Sequence, residues 1–225
     1  MSSTQKWNGD CLLTKLERRE LNLPPPESFQ LKERSMARIA PVNRREADPR
    51  SNEMLDAVQK KLGMTPNLMS TLAHSPAALE AYLKLSEATG KGVLPAKTRE
   101  QIALAVGQAN SCNYCVSAHS AIGKMIGLTA EEIREARTGR AADTKSDAIL
   151  RLTTQVVEKR GFVSDADLTA ARSAGVTDAE VTEIVANTAL NLLTNYFNHV
   201  AETEIDFPLA EELQPEAACE TGCSV

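Results

Sequence analysis

The chain has 225 residues, enough for one good-sized core or one compact domain with tails. Hydrophobic residues make up 42% and charged residues 24%, which excludes a disordered or fibrous protein. Lys and Arg total 25 against 30 for Asp and Glu, a formal net charge of -5, and this balance speaks against a dedicated nucleic-acid binder.

Residues 1–35 differ in character from the rest of the chain. They hold the run Pro24-Pro25-Pro26, scattered charges and little apolar periodicity. They read as an N-terminal extension, weakly ordered or packed on the surface, with Met36 opening the stretch Met36-Ala37-Arg38-Ile39-Ala40-Pro41-Val42 as a candidate native start. This beginning has no apolar signal-peptide core. No apolar run anywhere approaches the roughly 18 residues of a membrane helix. A cytoplasmic protein with neither membrane nor nucleic acid as partner is therefore expected.

From 36 to 209 nearly everything reads as helix. Thr65-Pro66 and Ser75-Pro76 each offer an N-cap followed by proline at the first helical position. After Ser75, Leu79, Tyr82, Leu83 and Leu85 recur at helical spacing. Thr98 with Gln101, Thr129 with Glu132 and Thr177 with Glu180 match the capping-box spacing and predict three further helix starts. Gly127 and Gly161 fall where helices should end. The longest amphipathic run comes late: Val181, Ile184, Val185, Thr188, Leu192, Leu193, Tyr196, Phe197 and Val200 sustain a 3.6-residue period. Alternating β-branched segments and Asn-Gly or Asp-Gly hairpin signals are missing. The expected fold class is all-α, with six or more helices, and residues 210–225 form a polar tail.

Five cysteines are present: Cys11, the pair Cys112 and Cys115, and Cys219 and Cys223 in the tail. A secreted disulfide scaffold would be shorter and denser in cysteine, so the C-x-x-C reads first as redox chemistry or metal binding. Asn110 and Ser111 break the helix that follows Thr98, with Ser111 as N-cap of a second helix. Cys112 then takes the first helical position and Cys115 the first turn, where unpaired N–H groups and the helix dipole favour a thiolate. His119 is four residues after Cys115 and shares its stripe. A thiolate attacks a peroxide oxygen to give a sulfenic acid, which a neighbouring thiol converts to a disulfide. Glu100 or His119 would take the thiol proton, directly or through water.

Blander readings stand beside these. Two buried inert cysteines fit the same spacing. Cys112, Cys115 and His119 would make three zinc ligands, with a fourth from Cys219, Cys223 or Glu100, although a second ligand pair is not convincing. Glu100 taken alone is a first-turn carboxylate on a helix dipole. His74 suits a surface or capping contact, and His199 suits the end of the long helix. Tyr196 and Phe197 suit core or a subunit interface, and Cys219 with Cys223 suits a bystander tail.

Glu100, eleven residues, Cys112-Asn113-Tyr114-Cys115, then Val116-Ser117-Ala118-His119 resembles the E-x11-C-x-x-C-x-x-x-H motif of the alkylhydroperoxidase D (AhpD-like) family. That family lies within the carboxymuconolactone decarboxylase-like superfamily. Softer similarity to its peroxidase-related branch runs from Asn67-Leu68-Met69 to Asp206-Phe207-Pro208.

The resemblance implies an all-helical bundle that assembles as a homo-oligomer, trimeric or hexameric. It implies a peroxidase in which Cys115 attacks the hydroperoxide. Cys112 resolves the product and is more open to an external dithiol reductant such as a lipoyl group. Glu100 and His119 form the proton relay, with His199 a further candidate for the wall of the site. No cofactor and no resident metal are called for. The best-known members carry histidine between the cysteines, where this chain has Tyr114; a phenol, ionising near pH 10, is a poorer proton shuttle than imidazole. The alternatives are a muconolactone-decarboxylating lyase on the same scaffold, which would not depend on a C-x-x-C, and a non-catalytic redox or zinc module.

Overall fold

The computed structural model describes residues 37–213. The N-terminal extension, Cys11, Cys219 and Cys223, and all but the start of the polar tail, lie outside these residues. Among the described residues there are nine helices and no strand: α1 (Pro49–Leu62), α2 (Asn67–Leu72), α3 (Pro76–Gly90), α4 (Ala96–Ala109), α5 (Asn113–Met125), α6 (Ala130–Arg137), α7 (Thr144–Glu158), α8 (Asp165–Ser173) and α9 (Asp178–Ala201). No helix among them is long and apolar enough to cross a membrane. The all-α expectation holds.

Most helix starts follow local chemistry. Ser75 accepts from the Ala78 N–H and Pro76 opens α3. Reciprocal capping boxes open α6 (Thr129, Glu132) and α9 (Thr177, Glu180), and a third, Ser164 with Asp167, opens α8. Gly127 ends α5 in the left-handed region at φ 87°.

Two expected starts are corrected. α4 begins at Ala96 behind Pro95, so Thr98 lies inside its first turn rather than at its cap. Thr65 does not cap α2; Pro66 holds that position and lacks a side-chain cap. The leading amides of α2 bond across the fold instead. Asn67 N–H donates to Asp206 Oδ2 at 2.7 Å and Leu68 N–H to the Tyr114 hydroxyl at 3.2 Å. A local pattern search does not see partners so distant in the chain.

α4 is the axis of the bundle, buried from Gln101 to Gly107. One core gathers Ile102, Leu104, Val106, Ile133, Leu150 and Ile184 from α4, α6, α7 and α9. A second gathers Leu55, Leu68, Leu72, Leu79, Tyr114 and Cys115 from α1, α2, α3 and α5. Each fully buried Leu or Ile contributes roughly 1.5–3 kcal/mol of transfer free energy.

The apolar period of α9 only partly marks its buried face: Ile184 is fully buried and Val181 and Leu192 pack against the first core. Its buried side is largely polar: Asn187, Thr188, Asn191, Thr194, Asn195 and Asn198. Val185, Leu193, Tyr196 and Val200 lie outside, from 42% to 61% exposed. Phe197 is partly buried against the second core.

Candidate active site

The connection from α4 to α5 places both cysteines. Ser111 adopts φ 55°, the left-handed region. Its N–H bonds the Gln108 carbonyl at 2.9 Å, and the Cys112 N–H bonds the Gly107 carbonyl at 2.9 Å. These two bonds close α4 as a Schellman motif. Ser111 is therefore spent on ending α4 and does not cap α5, correcting the expected boundary. Cys112 is the N-cap of α5, without a side-chain cap bond, and Cys115 is the third residue of the helix. Gly107 lets this turn approach: a Cβ there would lie 3.3 Å from Val116 Cγ2 and 3.5 Å from Cys115 Cβ.

Cys112 and Cys115 are both buried, unbridged thiols. Their environments differ. Asn198 Nδ2 donates to Cys115 Sγ at 3.2 Å, and Thr194 Oγ1 lies 3.9 Å from the same sulfur. The Asn195 carbonyl oxygen is held by Asn110 Nδ2 at 3.0 Å, and its own Nδ2 is buried without a hydrogen-bond partner among the described residues. The Cys112 thiol donates to Cys115, and that bond, outweighing burial together with the His119 charge and the two asparagines, brings the Cys115 pKa down to about 6. The same contact, burial and the nearby negative charge push Cys112 up, so it stays a thiol. Cys115 is thus the more readily ionised thiol of the pair. Both are buried, and it is Cys115, not Cys112, that lines the adjacent cavity. Both sulfur-bearing residues belong to the second core.

Glu100 and His119, from α4 and α5, meet at 2.7 Å between Oε2 and Nδ1. Burial alone would lower the His119 pKa; the charge and hydrogen bond of Glu100 outweigh it, and the imidazole titrates above its usual value. The four residues singled out in the sequence therefore converge. Tyr114 does not join the Glu100–His119 pair. Its hydroxyl accepts from Leu68 N–H and donates to Asp206 Oδ1 at 2.8 Å, while its ring meets Phe207 edge to face at 5.8 Å. Burial, ahead of the Asp206 charge, raises its pKa, so it remains a neutral phenol.

A cavity of about 330 Å³ opens onto Cys115, Glu100 and His119. Its apolar wall includes Leu68, Met69, Ala103, Ile122, Leu190 and Phe207. The volume is that of a small organic ligand rather than of one or two waters. Among the described residues, no group of three or more His, Cys, Asp or Glu is arranged to hold a metal. His74 is exposed, its ring bonding the Ala40 carbonyl at 2.9 Å. His199 is exposed in the last turn of α9 and does not line the cavity.

Sequence reasoning missed Asn195 and Asn198. The available signal was a run of asparagines, Asn187, Asn191, Asn195 and Asn198, at helical spacing on an otherwise apolar helix. Asparagine is a poor helix former, and such a stripe marks a buried polar face.

The Carboxymuconolactone decarboxylase family model matches residues 76–158. An uncharacterized peroxidase-related protein from Ralstonia eutropha JMP134, an alkylhydroperoxidase AhpD core, is 27% identical with a TM-score of 0.69, over 76% of this chain and 93% of that one. An uncharacterized peroxidase-related protein from Silicibacter sp. TM1040 is 22% identical with a TM-score of 0.65, over 74% and 91% of the two chains. The debrominase Bmp8, in complex with 2,3,4-tribromopyrrole, is 19% identical with a TM-score of 0.64, over 75% and 91%. An uncharacterized protein of Haemophilus influenzae is 52% identical over 46 residues, which span 20% of this chain and 41% of that protein's length.

Proposed function

This chain belongs to the carboxymuconolactone decarboxylase-like superfamily, among its alkylhydroperoxidase D-like members, and from that premise we propose that it is a thiol-dependent peroxidase. The observation that carries the reading is the Cys115 sulfur, its pKa brought down to about 6, at a cavity it shares with a Glu100–His119 pair. A low-pKa thiolate beside a second thiol is the arrangement that two-electron peroxide reduction needs.

The Cys115 thiolate attacks the terminal oxygen of a hydroperoxide. A sulfur–oxygen bond forms, the oxygen–oxygen bond breaks, and the leaving alkoxide takes a proton from the His119–Glu100 pair. Alcohol and Cys115 sulfenic acid result. The Cys112 thiol then attacks the sulfenic sulfur, releasing water and closing the disulfide. A small dithiol, such as a lipoyl group, gives two electrons and two protons, which restore the Cys112 thiol, the Cys115 thiolate and the protonated relay. Such a cycle suits a reducing compartment such as the cytoplasm. The apolar stripe of Val185, Leu193, Tyr196 and Val200 on α9 supports a homo-oligomer with a second copy covering that stripe, and the family resemblance implies a trimer or hexamer; sedimentation of the full chain tests it.

The test is consumption of an organic hydroperoxide with dihydrolipoamide, in the parent and in Cys115→Ser. Turnover in the parent and none in the variant supports the peroxidase. No hydroperoxide turnover, with debromination of a bromopyrrole or decarboxylation of a lactone instead, replaces it with the corresponding chemistry.

A further inference from the structure

Tyr82, on α3, lines the same cavity as Glu100, Cys115 and His119. It packs against the second core and is half-buried. Of the other hydroxyls on the cavity wall, that of Ser86 has no hydrogen-bond partner among the described residues, and three are committed. Tyr114 bonds Leu68 and Asp206, Thr89 bonds the Leu85 and Ser86 carbonyls, and Thr194 bonds the Asn191 carbonyl. The Tyr82 hydroxyl has no hydrogen-bond partner among the described residues. An unpaired phenol O–H on a half-buried ring at the cavity wall is available to donate to a ligand oxygen.

Burial first, and then the negative charges of Cys115 and Glu100, push the Tyr82 pKa up to about 12. The group therefore lies within reach of the charges on the nucleophile and on the relay. It stays a neutral donor across the whole working range of pH. It cannot serve as a base there, and it has a proton to share but not to lose.

We propose that Tyr82 is a further catalytic residue of this site, its hydroxyl donating a hydrogen bond to the peroxide oxygen that leaves as alkoxide. This rests on the peroxidase reading. The bond strengthens as negative charge builds on that oxygen and so favours the transition state over the bound substrate. The proton itself still comes from His119 and Glu100, so atoms and charges balance as before. Tyr82 holds the leaving oxygen while the sulfur–oxygen bond forms.

The experiment is a single-turnover comparison of parent and Tyr82→Phe, using tert-butyl hydroperoxide in one arm and iodoacetamide in the other. Iodoacetamide reports the thiolate without an oxygen leaving group. The expected result is a loss of about 10- to 100-fold in the peroxide reaction, with an unchanged alkylation rate and an unchanged pH midpoint of alkylation. An equal loss in both arms assigns Tyr82 to packing or to the thiolate and overturns the proposal. So does a peroxide rate unchanged in Tyr82→Phe. A parent that alkylates readily but does not react with peroxide overturns the peroxidase reading itself, and the proposal with it. Tyr82→Ala, which also removes the ring, should lose at least as much peroxide reactivity; a smaller loss than Tyr82→Phe overturns the assignment to the hydroxyl.

Discussion

The Tyr114 hydroxyl lies 2.8 Å from Asp206 Oδ1, and the other oxygen of that carboxylate holds the Asn67 N–H at 2.7 Å. The residue between the two cysteines thus fastens the start of α2 to the segment that follows α9. Removing the hydroxyl in Tyr114→Phe strands the Leu68 N–H and part of the Asp206 carboxylate. The expected cost is about 1–3 kcal/mol, seen as a fall in Tm of roughly 2–12 °C for a chain of this size. The pH midpoint of Cys115 alkylation should stay where it is; a displaced midpoint would put Tyr114 in the proton relay after all.

Cys115 titrates near 6 rather than at its ordinary value of 9.0. Alkylation should rise to its plateau through pH 6 and vanish in Cys115→Ser. A plateau reached only above pH 8.5 would remove the thiolate argument. The same shift enters stability. Below pH 6 the thiol is protonated folded and unfolded alike and contributes nothing. Between about 6 and 9 it is ionised only when folded, so its contribution grows with pH, is complete above 9 and is lost on descent through 6. Thermal unfolding of the parent minus that of Cys115→Ser should show this slope in that window.

Asn198 donates directly to the sulfur. Asn198→Ala should move the alkylation midpoint upward by about one pH unit, since a hydrogen bond to a charged group is worth roughly 1.5–3 kcal/mol and one unit is about 1.4. Circular dichroism should find the helix content unchanged.

Glu100→Gln should cut peroxide reactivity by about 10²-fold or more. Without the carboxylate, burial governs His119, which becomes neutral near pH 7 and withdraws its charge from Cys115. A rise in the alkylation midpoint, together with a lowered titration midpoint of the His119 ring by NMR, checks both halves of that chain. An unchanged peroxide rate takes Glu100 out of the mechanism.

Local chemistry makes much of the bundle legible. The capping boxes at Thr129 and Thr177 and the Ser75-Pro76 start need only neighbours in the chain. So does the convergence of Glu100, Cys112, Cys115 and His119, because the α4–α5 corner sets them within one pair of adjacent helices. What stays hidden depends on partners far along the chain. Asp206 caps α2 from 139 residues away. The apolar period of α9 names a helix and only partly its buried face, which here is the one carrying Asn195 and Asn198. Ser111 could be read as the start of one helix or the end of another, and only the Gly107 and Gln108 carbonyls decide it.

The cradle around Cys115 also sets the poise of the pair as an electron carrier. A disulfide between Cys112 and Cys115 would close a very short loop, which constrains the unfolded chain little. The reduced form, in contrast, gains from two asparagine amides, a histidine charge and the Cys112 thiol. Stabilising the thiolate favours the dithiol and makes the disulfide a stronger oxidant, with a reduction potential above that of an ordinary structural bridge. The surroundings that lower the Cys115 pKa would therefore also ease the reopening of a Cys112–Cys115 disulfide by a small dithiol.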